Sequence, residues 1–322
     1  MARFVKKLME FFCLLIVGAL GIVALKYIVV GSQYQKTYMG AFVDKIERLK
    51  SINEPKIILV GNSNVAFGFD SERIEKAMGM PVVNLGYLGD VGSAFNEDMA
   101  KFSINSGDIV VLCHSGYNSE DRIFDRVLAW STIDNHIESL RVLRPKDYIP
   151  MLEAYPCYYR KTWYSFFLNK SEKDPGGSYC RAAFNKYGDI SVKNEASKMD
   201  AEAFFSSKAK SPKDKKPPEF NTDNIKRVNE YNRYISKRGA TLVIAGYPIA
   251  YGRYSIYDQE YYRQYQEELE ALVECEVISD FTEYMFPYDY FFDTAVHLTT
   301  EGAAKRSDVL ISDLKKWMAD KT

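Results

Sequence analysis

Histidine is scarce in this chain. Three occur in 322 residues, at 114, 136 and 297, and none stands at ligand spacing from another. A catalytic metal finds no ready set of ligands there. The five cysteines contain no CxxC step, which argues against a zinc site as well. Cys113 and Cys275 close apolar patterns and read as buried thiols, whereas Cys157 and Cys180 would be free to pair in an oxidising compartment. Excess charge is also missing. The formal net charge is −1, and nucleic-acid binders normally carry a basic domain. A dinucleotide loop is lacking too, because "GYLGDVG" at 86–92 has GxxGxxG spacing and not GxGxxG. Neither a cofactor nor a nucleic-acid partner is expected.

Apolar and aromatic residues are plentiful. The 24 tyrosines suit stacking on sugar rings and equally suit half-buried core positions. From Phe11 to Val30 the chain runs 20 residues with one charge, Lys26. About 20 apolar residues in a helix cross the hydrocarbon core of a bilayer. The run has no polar face, as a soluble core helix would, and no small-x-small cleavage site follows it. Residues 1–33 therefore read as an uncleaved membrane anchor, with Lys26 snorkelling to the interface. Arg3, Lys6 and Lys7 precede the run while Lys36 and Lys45 follow it, a bias towards a cytoplasmic N-terminus and an extracytoplasmic domain.

Residues 34–54 read as a stalk helix and 55–322 as an α/β domain. Strand patterns at "KIILVG" (56–61), "PVVNL" (81–85), "DIVVLC" (108–113), "TLVIAGY" (241–247) and "EVISD" (276–280) alternate with helical ones at 70–78, 92–104, 222–237, 258–274 and 300–319. That rhythm predicts βαβ units, a mostly parallel five-stranded sheet and helices on both faces, a three-layer α/β/α sandwich. Residues 119–221 break it with "YPCYYRKTWYSFF" and the lysine-rich "SSKAKSPKDKKPPEF", and read as an insertion ending in a surface loop.

In an open parallel sheet, ligands gather beyond the carboxyl ends of the strands. Three strand ends carry suggestive residues: "GNSN" with Ser63, "NLGYLGDVG" with Gly86 and Gly89, and "CHSGYN" with Gly116 and Asn118. Near the C-terminus "FFDTAVHLTTEGA" adds Asp293 and His297. Serine is a poor nucleophile until a base takes its proton, and imidazole suits that task near neutral pH. A carboxylate then fixes the imidazole tautomer. On a helical turn, i,i+4 side chains share a face, so Asp293 would reach His297; Asp280 and Asp289 are the alternatives. His114, one residue past a strand, reads as a core or rim histidine.

This ordered set resembles the four sequence blocks of the SGNH (GDSL-like) hydrolase superfamily. The likeness covers about 55–118 and 222–320 and departs twice. No Asp follows Gly61, and three residues separate Asp293 from His297 where the family usually has two. The resemblance implies Ser63 as nucleophile, Asp293 and His297 as the relay, and an oxyanion hole from Ser63, Gly89 and Asn118. With the anchor, it implies a membrane-bound esterase or O-acyltransferase, similar to bacterial proteins that handle acyl groups on exopolysaccharides and teichoic acids. The substrate would be a polysaccharide or acylated glycan, with a membrane-bound acyl-transfer partner. A non-catalytic binding module of the same fold and a lipid esterase stay open beside it.

Overall fold

The computed structural model describes residues 1–114, 117–169, 176–193, 198–208, 219–255 and 257–321. Gly116 and most of the lysine-rich loop lie outside them. The chain opens with helix α1 (Ala2–Val29), long and apolar enough to cross a membrane, its apolar stretch exposed along its length. Near its end Lys26 does not snorkel to water. It is fully buried and paired with Asp134, and its ammonium faces the Tyr158 ring at 5.5 Å.

Helix α2 (Ala41–Ser51) follows. It is no free-standing stalk: Phe42, Ile46 and Leu49, at i, i+4 and i+7, are wholly buried in the main core. Next come β1 (Ile57–Val60), α3 (Ser63–Ala66), α4 (Ser71–Met78), β2 (Val82–Asn84), α5 (Ser93–Asp98) and β3 (Ile109–Leu112). The insertion contributes α6 (Arg126–Asn135), α7 (Pro145–Phe167) and α8 (Ala201–Lys208). The chain ends with α9 (Thr222–Ser236), β4 (Thr241–Ile244), β5 (Ile249–Ala250), α10 (Gln259–Leu272), β6 (Glu276–Val277), β7 (Met285–Phe286) and α11 (Thr300–Ala319).

The main sheet has the order β2-β1-β3-β4-β6, and every pairing is parallel. Both of its faces are covered, which is why its strands are continuous β-branched runs. Alternation along β1 assigns the sides: Ile57 and Leu59 pack with Ile74 of α4 and Leu310 and Leu314 of α11. Ile58 and Val60 face α2, α9 and α10. β5 and β7 form a separate two-stranded parallel pair.

The insertion is more deeply integrated than a surface excursion. Ala129, Ile133, Met151, Ala183 and Ile190 join the main core. The buried Asp189 carboxylate accepts from Ser71 Oγ at 2.5 Å and from Asn84 Nδ2 at 2.7 Å. None of the five cysteines is in a disulfide; Cys157 is exposed on α7, and buried Cys180 donates to Gly177 O.

Candidate active site

After β1, Gly61 and Asn62 turn the chain into α3, whose first residue is Ser63. Four residues are too few to hold a helix by their own hydrogen bonds. Other parts of the chain tie the turn down instead. Asn64 O accepts from Arg306 Nη1 at 2.7 Å, Val65 O from Asn84 Nδ2 at 3.0 Å, and Ala66 O from Ile190 N at 2.8 Å. At its front the Asn62 side chain accepts from Asn64 N at 3.0 Å, an N-cap. Gly86 lets the end of β2 press against this turn, since a Cβ there would collide with Ala66 N and Val65. Ser63 is thus half-buried at the carboxyl edge of a central strand, on a turn anchored from three directions.

His297 lies on the loop before α11. That loop is not the helical turn suggested by the i,i+4 spacing. It is a bend in which Thr294 Oγ1 accepts from His297 N at 3.0 Å, closed by an antiparallel bridge between Phe291 and Leu298. The bend folds Asp293 back onto the imidazole, with Oδ1 2.8 Å from His297 Nδ1. On the other side, His297 Nε2 stands 2.8 Å from Ser63 Oγ. Phe67, four residues after Ser63, stacks on the imidazole at 4.1 Å and 6°.

A fourth group completes the set. Tyr179, from the insertion, donates its hydroxyl to Asp293 Oδ2 at 2.6 Å and lies 3.2 Å from His297 Nδ1. Burial alone would raise the Asp293 carboxyl, but hydrogen bonds from His297 and Tyr179 outweigh it and hold the group below the usual carboxylate range. Burial and the neighbouring Asp293 push the Tyr179 hydroxyl up, so it stays a donor. With Asp293 ionised, Nδ1–H donates to the carboxylate and Nε2 is left to accept the Ser63 proton.

Ser63, His297 and Asp293 are therefore brought together. Asp280 and Asp289 are not: Asp280 caps the turn at Phe281–Tyr284 by accepting from Thr282 N at 2.8 Å, and Asp289 lies in the turn at Tyr288–Tyr290. Gly89 is exposed beside the Ser63 turn, where a Cβ would lie 3.9 Å from that of Asn62. Among the described residues neither the Ser63 nor the Gly89 amide has an acceptor. Asn118 is exposed after β3 and makes no hydrogen bond to the relay among the described residues. His114 is a core residue: its Nε2 lies 2.8 Å from Glu97 Oε1, its ring stacks on Tyr117, and burial pushes it down to about 4. The i,i+4 spacing from Ser63 was the available signal for Phe67. Nothing in the spacing marked Tyr179 or Arg306.

A cavity of about 450 Å3 has Ala295 and Val296, from the loop between Asp293 and His297, in its wall, while Ser63, Asp293 and His297 do not line it. Tyr247, Tyr254, Tyr257 and Tyr288 line much of the rest. Among the described residues no cluster of three or more His, Cys, Asp or Glu side chains is placed to ligate a metal. No family model, curated protein or solved structure matches the chain, so the reading of this site rests on its own geometry.

Proposed function

We propose that this protein is a membrane-anchored serine esterase or O-acyltransferase, its domain an SGNH-type sandwich, acting on acyl esters (acetyl foremost) of a cell-envelope or secreted polysaccharide. The observation that carries the reading is the unbroken Ser63–His297–Asp293 chain, with both contacts at 2.8 Å. Ser63 Oγ attacks the ester carbonyl carbon while its proton passes to His297 Nε2. The Ser63 and Gly89 amides are the donors for the resulting oxyanion; losing one such donor typically raises the barrier by about 3 kcal/mol. Collapse breaks the carbon–oxygen bond to the alcohol, which leaves with the proton from His297. Water or a sugar hydroxyl, deprotonated by His297, then takes the acyl group and restores Ser63.

The tyrosine-lined cavity, which shares Ala295 and Val296 with the loop that carries Asp293 and His297, supports a sugar ring as the alcohol partner, because aromatic faces pair with the C–H faces of pyranoses. The exposed apolar length of α1 supports anchoring in a membrane. Lys45, one of the two lysines after the run, is buried and donates to Asn84 O and Gly188 O. It is not a membrane-flanking charge, which strengthens the bias towards an extracytoplasmic domain.

The test is release of acetate from an aryl acetate by the full-length protein, expected for wild type and lost in Ser63→Ala. Equal turnover by both would sink the serine mechanism. Preference for long-chain esters over acetate would favour a lipid esterase. The departures in the first and last sequence blocks, no Asp after Gly61 and three residues between Asp293 and His297, favour the second reading, a binding module that keeps the fold without the chemistry. That reading requires Ser63 to resist a fluorophosphonate and polymer binding to survive Ser63→Ala.

A further inference from the structure

We infer that α7 lies on the membrane surface, its outward apolar face set among the lipid headgroups. The inference rests on the reading of α1 as a membrane anchor. Among the described residues outside Met1–Val29, thirteen large apolar side chains are exposed. Six of them cluster on α7 and the residue after it: Tyr148, Ile149, Leu152, Tyr164, Phe167 and Leu168. Scattered single apolar residues on a surface are ordinary, but a concentration along one helix marks an interaction face.

Helical spacing sorts the two sides. Asp147, Met151, Tyr158 and Thr162 are buried against the domain. Tyr148, Leu152, Tyr159 and Trp163 run along the flank of that buried face, with Ile149 and Phe167 farther towards the outside. Exposed Arg160 and Glu153 lie between these residues and Tyr164 on the outward side, with Lys161 beyond, so polar heads are interleaved with the apolar groups as in the headgroup layer. Aromatic and aliphatic residues with flanking basic groups are what an interfacial helix presents to lipid.

The tether fixes the depth. Lys26 lies four residues before the end of the Phe11–Val30 apolar run, near the point where the span leaves the hydrocarbon layer in the anchoring reading. Lys26 faces the Tyr158 ring at 5.5 Å, and Tyr34, just past α1, meets the same ring at 6.4 Å. The middle of α7 is therefore held at the level where the span leaves the hydrocarbon. The buried pair of Lys26 with Asp134 of α6 locks this junction and prevents the domain from swinging away on a loose linker.

The full-length chain, reconstituted in nanodiscs of phosphatidylcholine with phosphatidylglycerol, provides the test. Nitroxides are attached singly at native Cys13, at Leu152→Cys, at Phe167→Cys and at Leu272→Cys, an exposed control on α10, with the other exposed cysteines replaced. Collisions with lipid-soluble oxygen and with a water-soluble nickel complex are compared. The labels at 152 and 167 should show several-fold fewer nickel collisions than 272 and a raised oxygen rate, approaching Cys13. If 152 and 167 meet nickel as freely as 272 while Cys13 is shielded, the α7 proposal falls and the anchor stands. If Cys13 is also open to nickel, the anchor itself falls, and the proposal with it. Shielding of 152 and 167 in native membranes but not in lipid-only discs would assign the face to a protein partner and overturn the lipid proposal.

Discussion

Two histidines lie near the carboxyl edge of the sheet, each 2.8 Å from a carboxylate and each stacked on an aromatic ring, yet their settings differ. At His114 the carboxylate takes Nε2, and the ring and Glu97 are each about 1% exposed. Glu97 is also paired with Arg227, whose charge offsets it inside the core. At His297 the carboxylate takes Nδ1, which leaves Nε2 pointing at a hydroxyl on a half-buried turn. A histidine–carboxylate contact does not by itself make a base. The nitrogen left over, and what a substrate can reach beside it, decide.

Substitutions break this comparison most sharply at Ser63. Ser63→Ala should lower aryl-acetate turnover by about 10⁴-fold or more while the thermal midpoint stays near wild type. Asp293→Asn should cost about 10³-fold, since the amide can no longer hold the required tautomer; steady-state kinetics on folded protein would show it. His114→Phe keeps the stack on Tyr117 but removes the partner of Glu97 Oε1, leaving only Arg227 on that carboxylate. We expect a loss of about 2 kcal/mol in denaturant unfolding with turnover per folded molecule unchanged. A comparable fall in turnover would erase the distinction between the two histidines.

The smaller effects sharpen the picture. Tyr179→Phe removes the donor on Asp293 Oδ2, so the carboxyl rises towards its ordinary range. About a tenfold drop in kcat is expected, with the acid limb of the pH profile displaced to higher pH, a displacement that a purely structural tyrosine would not cause. Stability should also report on His114. Its folded pKa is pushed down to about 4 from 6.5, so the unfolded chain binds the extra proton, and this contribution is lost as pH falls through that window. Asp313, pushed up to about 6 by burial, has the opposite slope in wild type and variant alike. The difference between wild type and His114→Phe therefore isolates the histidine, and parallel pH curves would contradict its burial as a neutral ring.

Much of the fold was legible because its signals are local. The β-branched runs at 57–60, 82–84 and 109–112 became adjacent parallel strands. The relay was legible because its members fall just past strand ends or just before the last helix, where an open sheet gathers its ligands. The misreadings are long-range. Lys26 looked like an interfacial lysine because its partner Asp134 lies 108 residues away. Tyr179 is 114 residues from Asp293, in a segment without periodicity, and no spacing rule connects them. The helix at 41–51 carried a core pattern at Phe42, Ile46 and Leu49, but its place beside the anchor suggested a stalk.

Phe67 couples the two reacting groups mechanically. It leaves the same anchored turn that carries Ser63 and lies flat against the imidazole, so hydroxyl and ring are referenced to one rigid piece of backbone. Thermal breathing of the surrounding loops would carry both partners together and leave the gap between them nearly constant. The proton-transfer distance should be better conserved across temperature than the shape of the neighbouring cleft, so heating would blur substrate selectivity before it dulled the chemistry.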